Sequence, residues 1–95
     1  MAKLRREKLP DGTDAGLLSF QCPGCGARHA FRIMFDPDLP EEQVWSWNGD
    51  MDGPTFDPAL KAPGCHLRCV EGKLHFFVDS GHKLAGRLVD LPDEL

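Results

Sequence analysis

In Cys22-Pro23-Gly24-Cys25-Gly26, two cysteines flank a Pro-Gly turn. Two thiolates at this spacing can bind one tetrahedral ion, and the glycines let backbone N–H groups approach the sulfurs. The motif has the sequence of a zinc knuckle, whereas its plainer interpretation is two reduced thiols on a tight turn. It predicts a fold that is organised around bound Zn²⁺.

The bulk composition is that of one globular domain. The chain has 95 residues, of which 41% are hydrophobic and 27% charged, so a modest core is possible and a metal staple would help it. A net charge of −4 and a pI of about 5.4 disfavour a broad phosphate-binding surface. Only the N-terminus is basic, and residues 1–16 are predicted to form a flexible arm.

The sequence shows no membrane span and no signal peptide, which predicts a cytoplasmic protein. In that compartment, four cysteines indicate metal ligands or buried thiols rather than disulfides. Weak nucleic-acid binding through the basic arm and the zinc knuckle is an alternative function, which the acidic balance disfavours.

Short alternating segments predict a mostly β fold: one small zinc-stabilised domain over residues 17–95, with an antiparallel sheet and short connecting turns. Strands are expected at 17–21, 28–35 and 44–47, with a loop at 36–43. Residues 65–70 and 73–78 form a predicted hairpin around Glu71-Gly72. Its core face is expected to hold Cys65, Leu67, Cys69, Leu74, Phe76 and Val78.

The second half of the metal site follows from that hairpin. Cys65 and Cys69 would lie about 13 Å apart on one strand, whereas zinc-bound sulfurs lie only about 4 Å apart. Cys69 is therefore expected to be a buried core thiol. Cys65 and His82 emerge at the same end of the hairpin, and they complete the predicted Zn²⁺ site of Cys22, Cys25, Cys65 and His82.

Three further residues are secondary candidates near this metal site. His66 is the alternative ligand for either downstream position, although neighbours on a strand point to opposite faces. His29 is a weaker candidate ligand, and it is rather expected to be a core histidine or one that supports the ligands. Asp79 is expected to accept a hydrogen bond from His82, or to bond its own turn.

With these residues in view, the chain resembles the DUF6527-like family of small phage and prophage proteins. The shared blocks are Cys22–Gly26 with His29, Trp45–Asp50, Pro54–Pro58, Cys65-His66, Glu71–Lys73, Asp79–His82, Leu84–Gly86 and Leu91-Pro92. Some members bear the label "ammonia monooxygenase", which the residues do not support because no copper site with an open position is recognisable. The chain departs from relatives by a shorter segment before Cys65, and by Ser80 where some have Cys.

The resemblance and the closed metal site imply a phage-associated structural zinc protein that acts as a protein-binding module. Trp45, Trp47 and Phe56 would form its surface for a phage or host protein. The alternative is a small zinc-dependent hydrolase with an open metal site, in which Asp50, Asp57 or Asp79 serves as base. Related domains beside ubiquitin-like gene systems make that alternative worth keeping by analogy.

Overall fold

The computed structural model describes residues 2–34 and 44–94. Within these ranges the chain forms strands and no helix, which confirms the predicted mostly β fold. The strands are β1 (Arg5–Lys8), β2 (Asp14–Gln21), β3 (Arg28–Arg32), β4 (Ser46–Trp47), β5 (Phe56–Ala62), β6 (Cys65–Val70), β7 (Lys73–Phe76) and β8 (Leu88–Asp90). Phe35 and the predicted loop at 36–43 lie outside the described residues.

Two antiparallel sheets share one core. The first has the order β1-β2-β3 and the second the order β4-β5-β6-β7-β8. Phe31 from β3 stacks on Phe56 from β5, with ring centroids 4.2 Å apart, and Phe20 from β2 packs against both rings. This aromatic cluster joins the two sheets, because each ring is buried on the inner face of its strand.

The β6–β7 hairpin has the predicted register, with Leu67 opposite Phe76 and Val70 opposite Lys73. Glu71 and Gly72 both have positive φ, at 50° and 78°, as a two-residue hairpin turn of type I′ requires. The inward residues of both strands are buried as expected, up to Phe76. Val78 departs from the predicted core face: it is 87% exposed, because β7 ends at Phe76 and the chain then turns.

The N-terminal segment contains a strand that the sequence analysis missed. Residues 5–8 pair with β2, and Leu4 is only 2% exposed within the core. Lys3 also donates from Nζ to the carbonyl of Leu91 at 2.6 Å. The sequence pattern of a strand is weak here, because residues 5–8 include Arg5, Arg6 and Lys8. This charge led to the prediction of a flexible arm.

The two tryptophans stand at the edge of the second sheet. Trp45 and Trp47 are half-buried, and their indole N–H groups donate to the carbonyls of Pro58 at 2.9 Å and Asp50 at 3.3 Å. Arg6 lies 5.5 Å above the Trp47 ring. Phe56 is a core residue, at 3% exposed, so it offers little surface to a partner. The described residues contain no helix that is long and apolar enough to cross a membrane.

Candidate functional site

Three cysteines and one histidine converge between the two sheets. Cys22 and Cys25 lie on the turn after β2, where the Gly26 N–H donates to the Cys22 carbonyl at 3.2 Å. Cys65 begins β6, and His29 lies on β3. Their four ligand atoms lie within 4.8 Å of one another.

These distances fit a tetrahedral metal ion. Cys22 Sγ is 3.8 Å from Cys65 Sγ, and Cys25 Sγ is 3.3 Å from His29 Nε2. Donors around a tetrahedral zinc ion are about 3.5–4 Å apart. Reduced thiolates with one imidazole are also a donor set that soft and borderline metals prefer. The cluster could therefore hold a metal ion, as the sequence predicts.

His82 lies beside this cluster as a fifth possible donor, the second that is a nitrogen. Its Nε2 is 3.6 Å from Cys65 Sγ, and its Nδ1 accepts the N–H of Leu84 at 3.2 Å. An imidazole whose Nδ1 accepts a hydrogen bond carries its neutral-form proton on Nε2, so here Nε2 points an N–H at the sulfur. Ligation of the metal by His82 stays a prediction. In the structure it is His29 that supplies the fourth donor atom beside the three cysteine sulfurs.

The electrostatics of the cluster favour a cation. Burial raises the pKa of Cys22 and of Cys65, and neighbouring thiols raise that of Cys65 further. Burial also acts to raise the pKa of Cys25, but the Ala27 N–H and the adjacent thiols outweigh it and lower that pKa. Burial, with His82 nearby, lowers the pKa of His29, which keeps the imidazole neutral as a metal ligand must be. A divalent ion would offset the cost of holding three thiolates close together, two of them buried.

A second group of side chains lies on the opposite face of β6. His66 follows Cys65 but points outward, and its Nδ1 lies 3.1 Å and 3.2 Å from the two carboxylate oxygens of Asp79. The ring stacks on Phe77 with centroids 4.2 Å apart. Nδ1 therefore holds the proton of the neutral ring, and Nε2 is the basic nitrogen. Asp79 thus pairs with His66 rather than with His82, and His66 stands apart from the cysteines.

Ser80 lies directly beside this His–Asp pair. Its hydroxyl donates to the His66 carbonyl at 2.8 Å and accepts the His66 N–H at 3.1 Å. The next residue, Gly81, donates its N–H to the Gly64 carbonyl at 2.9 Å. These bonds attach the turn at 79–82 to the start of β6, and they hold Ser80 against the main chain of His66, whose imidazole pairs with Asp79.

The chain has three serines, and their surroundings differ. Ser19 is buried, donates to Glu7 at 2.5 Å and accepts from Arg28 at 2.9 Å. Ser46 is exposed on β4, where it lines a shallow cavity of about 270 Å³ with Trp47. Of the three serines, as far as the structure describes the chain, only Ser80 hydrogen-bonds to a histidine residue, through the main chain of His66. In the sequence, Ser80 is marked only as a position where some relatives carry Cys.

A comparison with known protein families identifies the family of the chain, which the geometry alone does not. Residues 2–83 match the family described as "Bacterial ubiquitination-like system serine protease (BubE)". The chain belongs to the BubE family. No curated protein and no solved structure matches it significantly.

Membership of the BubE family corrects two expectations from the sequence. The resemblance to a DUF6527-like phage family is wrong, because the matching family is that of a bacterial ubiquitination-like system. The phage-associated structural module that binds other proteins is also wrong, because the family is named as a protease. The hydrolase alternative agrees better with the family.

Proposed function

We propose that the protein is a serine peptidase of a bacterial ubiquitination-like system, with Ser80 as nucleophile and His66 as general base. The observation that carries the proposal is the His66–Asp79 pair beside Ser80, in a chain of the BubE family. Asp79 holds the imidazole in the tautomer that leaves Nε2 free to take a proton. The substrate is a polypeptide, and its scissile amide would lie on the outer face of β6.

The reaction needs one local movement in the protein. In the resting structure the Ser80 hydroxyl donates to the main-chain carbonyl of His66, so it must rotate about Cα–Cβ to face the imidazole. Ser80 Oγ then attacks the scissile carbonyl as His66 Nε2 takes its proton. His66 returns that proton to the leaving amine, and water hydrolyses the resulting ester by the same base.

We propose Zn²⁺ as the metal, held by Cys22, Cys25, Cys65 and His29. When bound by four protein side chains, Zn²⁺ supplies a cross-link and charge neutralisation rather than an open position for water. The cysteines would fix the start of β6, where Cys65 and His66 are adjacent, and His82 would tie the Ser80 turn to Cys65 by an N–H···S bond. We place the protein in the cytoplasm, because all four cysteines are free and reduced thiols persist there.

A serine-directed fluorophosphonate probe tests the nucleophile. We expect intact-mass analysis to show one adduct on the wild type and none on Ser80→Ala, whereas the exposed control Ser46→Ala labels normally. Circular dichroism checks that Ser80→Ala, which removes two hydrogen bonds to the His66 backbone, is still folded.

Asp79→Asn provides a second test that does not touch the buried hydroxyl. It should fold normally, since Asp79 is exposed, and should label about 10²–10⁴ times more slowly because the imidazole loses its orienting partner. Labelling retained in Ser80→Ala, or unchanged rates in Asp79→Asn, would overturn the assignment. Such results would favour a zinc-dependent hydrolase.

A further inference from the structure

The outer face of the second sheet places two cations next to His66. Lys61 on β5 is the direct cross-strand partner of His66, and Arg68 lies two residues further along β6 on the same face. Both side chains are exposed. We call Lys61, His66 and Arg68 the basic row.

The cations of this row have no carboxylate partner among the described residues. Several other cations do: Arg6 pairs with Asp14 at 3.0 Å, Arg28 with Glu94 at 2.8 Å and Lys73 with Asp90 at 2.6 Å. Asp79, the carboxylate that reaches the row, is already bonded to His66. In a chain of net charge −4, two cations that no described carboxylate pairs with thus flank the proposed catalytic base.

From this arrangement we infer that the peptidase selects polypeptides that carry a carboxylate about two residues from the scissile bond. The inference rests on the proposed function. Cross-strand neighbours have Cβ atoms about 5 Å apart, and same-face neighbours on one strand lie about 7 Å apart. An extended substrate advances about 3.3 Å per residue, so a side chain two positions from the reacting carbonyl reaches Lys61 or Arg68.

The carboxylate has two possible sources, an Asp or Glu side chain and the C-terminus of the chain. Arg68 could bind either through two parallel N–H···O bonds, and Lys61 as a point charge. Phe77, stacked between His66 and His75, gives the substrate a flat apolar surface beside the cations. The inferred ligand is therefore an acidic polypeptide segment laid along β6.

Cleavage specificity is the first test. A proteome-derived peptide library is digested with wild type, Lys61→Glu, Arg68→Glu and the control Lys8→Glu, which makes the same charge change on β1. We expect acidic residues to be enriched two positions from the cleavage sites of wild type and Lys8→Glu, and each reversal in the basic row to lower that enrichment about 3–10-fold, as expected for exposed charge pairs. Wild-type cleavage without acidic enrichment overturns the inference and leaves the proposed function standing.

Binding is the second test, and it does not need turnover. Fluorescence anisotropy of Ser80→Ala compares four labelled peptides of one sequence, with Glu or Gln at the critical position and a free or amidated C-terminus. Tighter binding of the Glu pair identifies a side-chain carboxylate, and tighter binding of the free-acid pair identifies the C-terminus. Equal affinity of all four, or no change with Arg68→Glu, refutes the inference even if no cleavage is ever seen.

Discussion

Gly24→Ala tests whether the zinc-knuckle turn and the Ser80 turn form one packed unit. A Cβ at Gly24 would lie 2.3 Å from Cε1 and 2.6 Å from Nε2 of His82, whereas carbon atoms in contact are normally about 3.5–4.0 Å apart. The imidazole cannot simply swing away, because Nδ1 is bonded to the Leu84 N–H and the ring meets Phe76 edge-on at 4.7 Å. The added methyl must therefore displace His82 by about 1 Å.

The size of the effect can be estimated from two opposing contributions. Overpacking at a tight site costs about 1–3 kcal/mol of unfolding free energy. Replacing glycine by alanine also restricts the unfolded chain, which returns about 0.4–1 kcal/mol, since Gly24 has no positive φ. The net loss is about 1–2 kcal/mol, or about 4–16 °C in Tm for a domain of this size.

The assay is thermal unfolding of metal-loaded protein by circular dichroism, with native mass spectrometry to count metal ions and fluorophosphonate labelling to monitor Ser80. The matched control is Gly53→Ala, where φ is also not positive and the new Cβ would come no closer than 3.4 Å to Asp50 Oδ2. We expect Gly24→Ala to lose stability and labelling rate together, and the control to lose neither. A Gly24→Ala variant with wild-type Tm and wild-type labelling would refute the coupling between the two turns.

Three further predictions concern the metal ligands, the core thiol and pH. The visible spectrum of the Co²⁺-substituted protein should show coordination by three sulfurs and one nitrogen. His29→Ala should lose this spectrum and His82→Ala should keep it, whereas the reverse result would make His82 the ligand. Burial raises the pKa of Cys69 to about 11, so mass spectrometry should find this thiol unalkylated by iodoacetamide at pH 8 until urea unfolds the protein; rapid labelling of folded protein would contradict its core position. The hydrogen bond and ion pair with Arg28 lower the pKa of Glu94 in the folded protein. The Glu94–Arg28 pair therefore stabilises the fold fully at a pH above the ordinary pKa of a glutamate. This stabilisation is lost as the pH falls through the lower pKa of the folded state. Urea midpoints from pH 6 to 3 should therefore fall less steeply in Glu94→Gln than in wild type, and parallel slopes would refute this.

The fold was predictable where alternation and turn chemistry agree. The β6–β7 hairpin follows from alternating burial and the Glu71-Gly72 turn, and its register needed no other information. Strand β1 was not predictable in the same way, because its pairing with β2 comes from tertiary contacts of Leu4 and not from its charged residues. The order of polar and apolar residues within one segment does not show burial that comes from packing against the rest of the fold.

The candidate site, like the fold, was predictable from the sequence only in part. The convergence of Cys22, Cys25 and Cys65 follows from spacing and hairpin geometry. The roles of the histidines do not, because whether His29 or His82 approaches the sulfurs depends on how two sheets pack together. The pairing of Asp79 with His66 was likewise not predictable, since it depends on how the turn at 79–82 bonds to β6 through Ser80 and Gly81.

The adjacency of Cys65 and His66 makes this strand unusually intolerant of length changes. Side chains alternate strictly along a strand, and pairing with β7 holds residues 67–70 in register. A one-residue insertion just after His66 would therefore carry the sulfur to the solvent side and the imidazole into the interior. The metal site would then lose its Cys65 ligand and the proposed catalytic group its His66 base, although neither residue had been replaced. Loop-length variation in natural relatives is therefore expected to stop short of this dipeptide, and engineered insertions should be placed elsewhere.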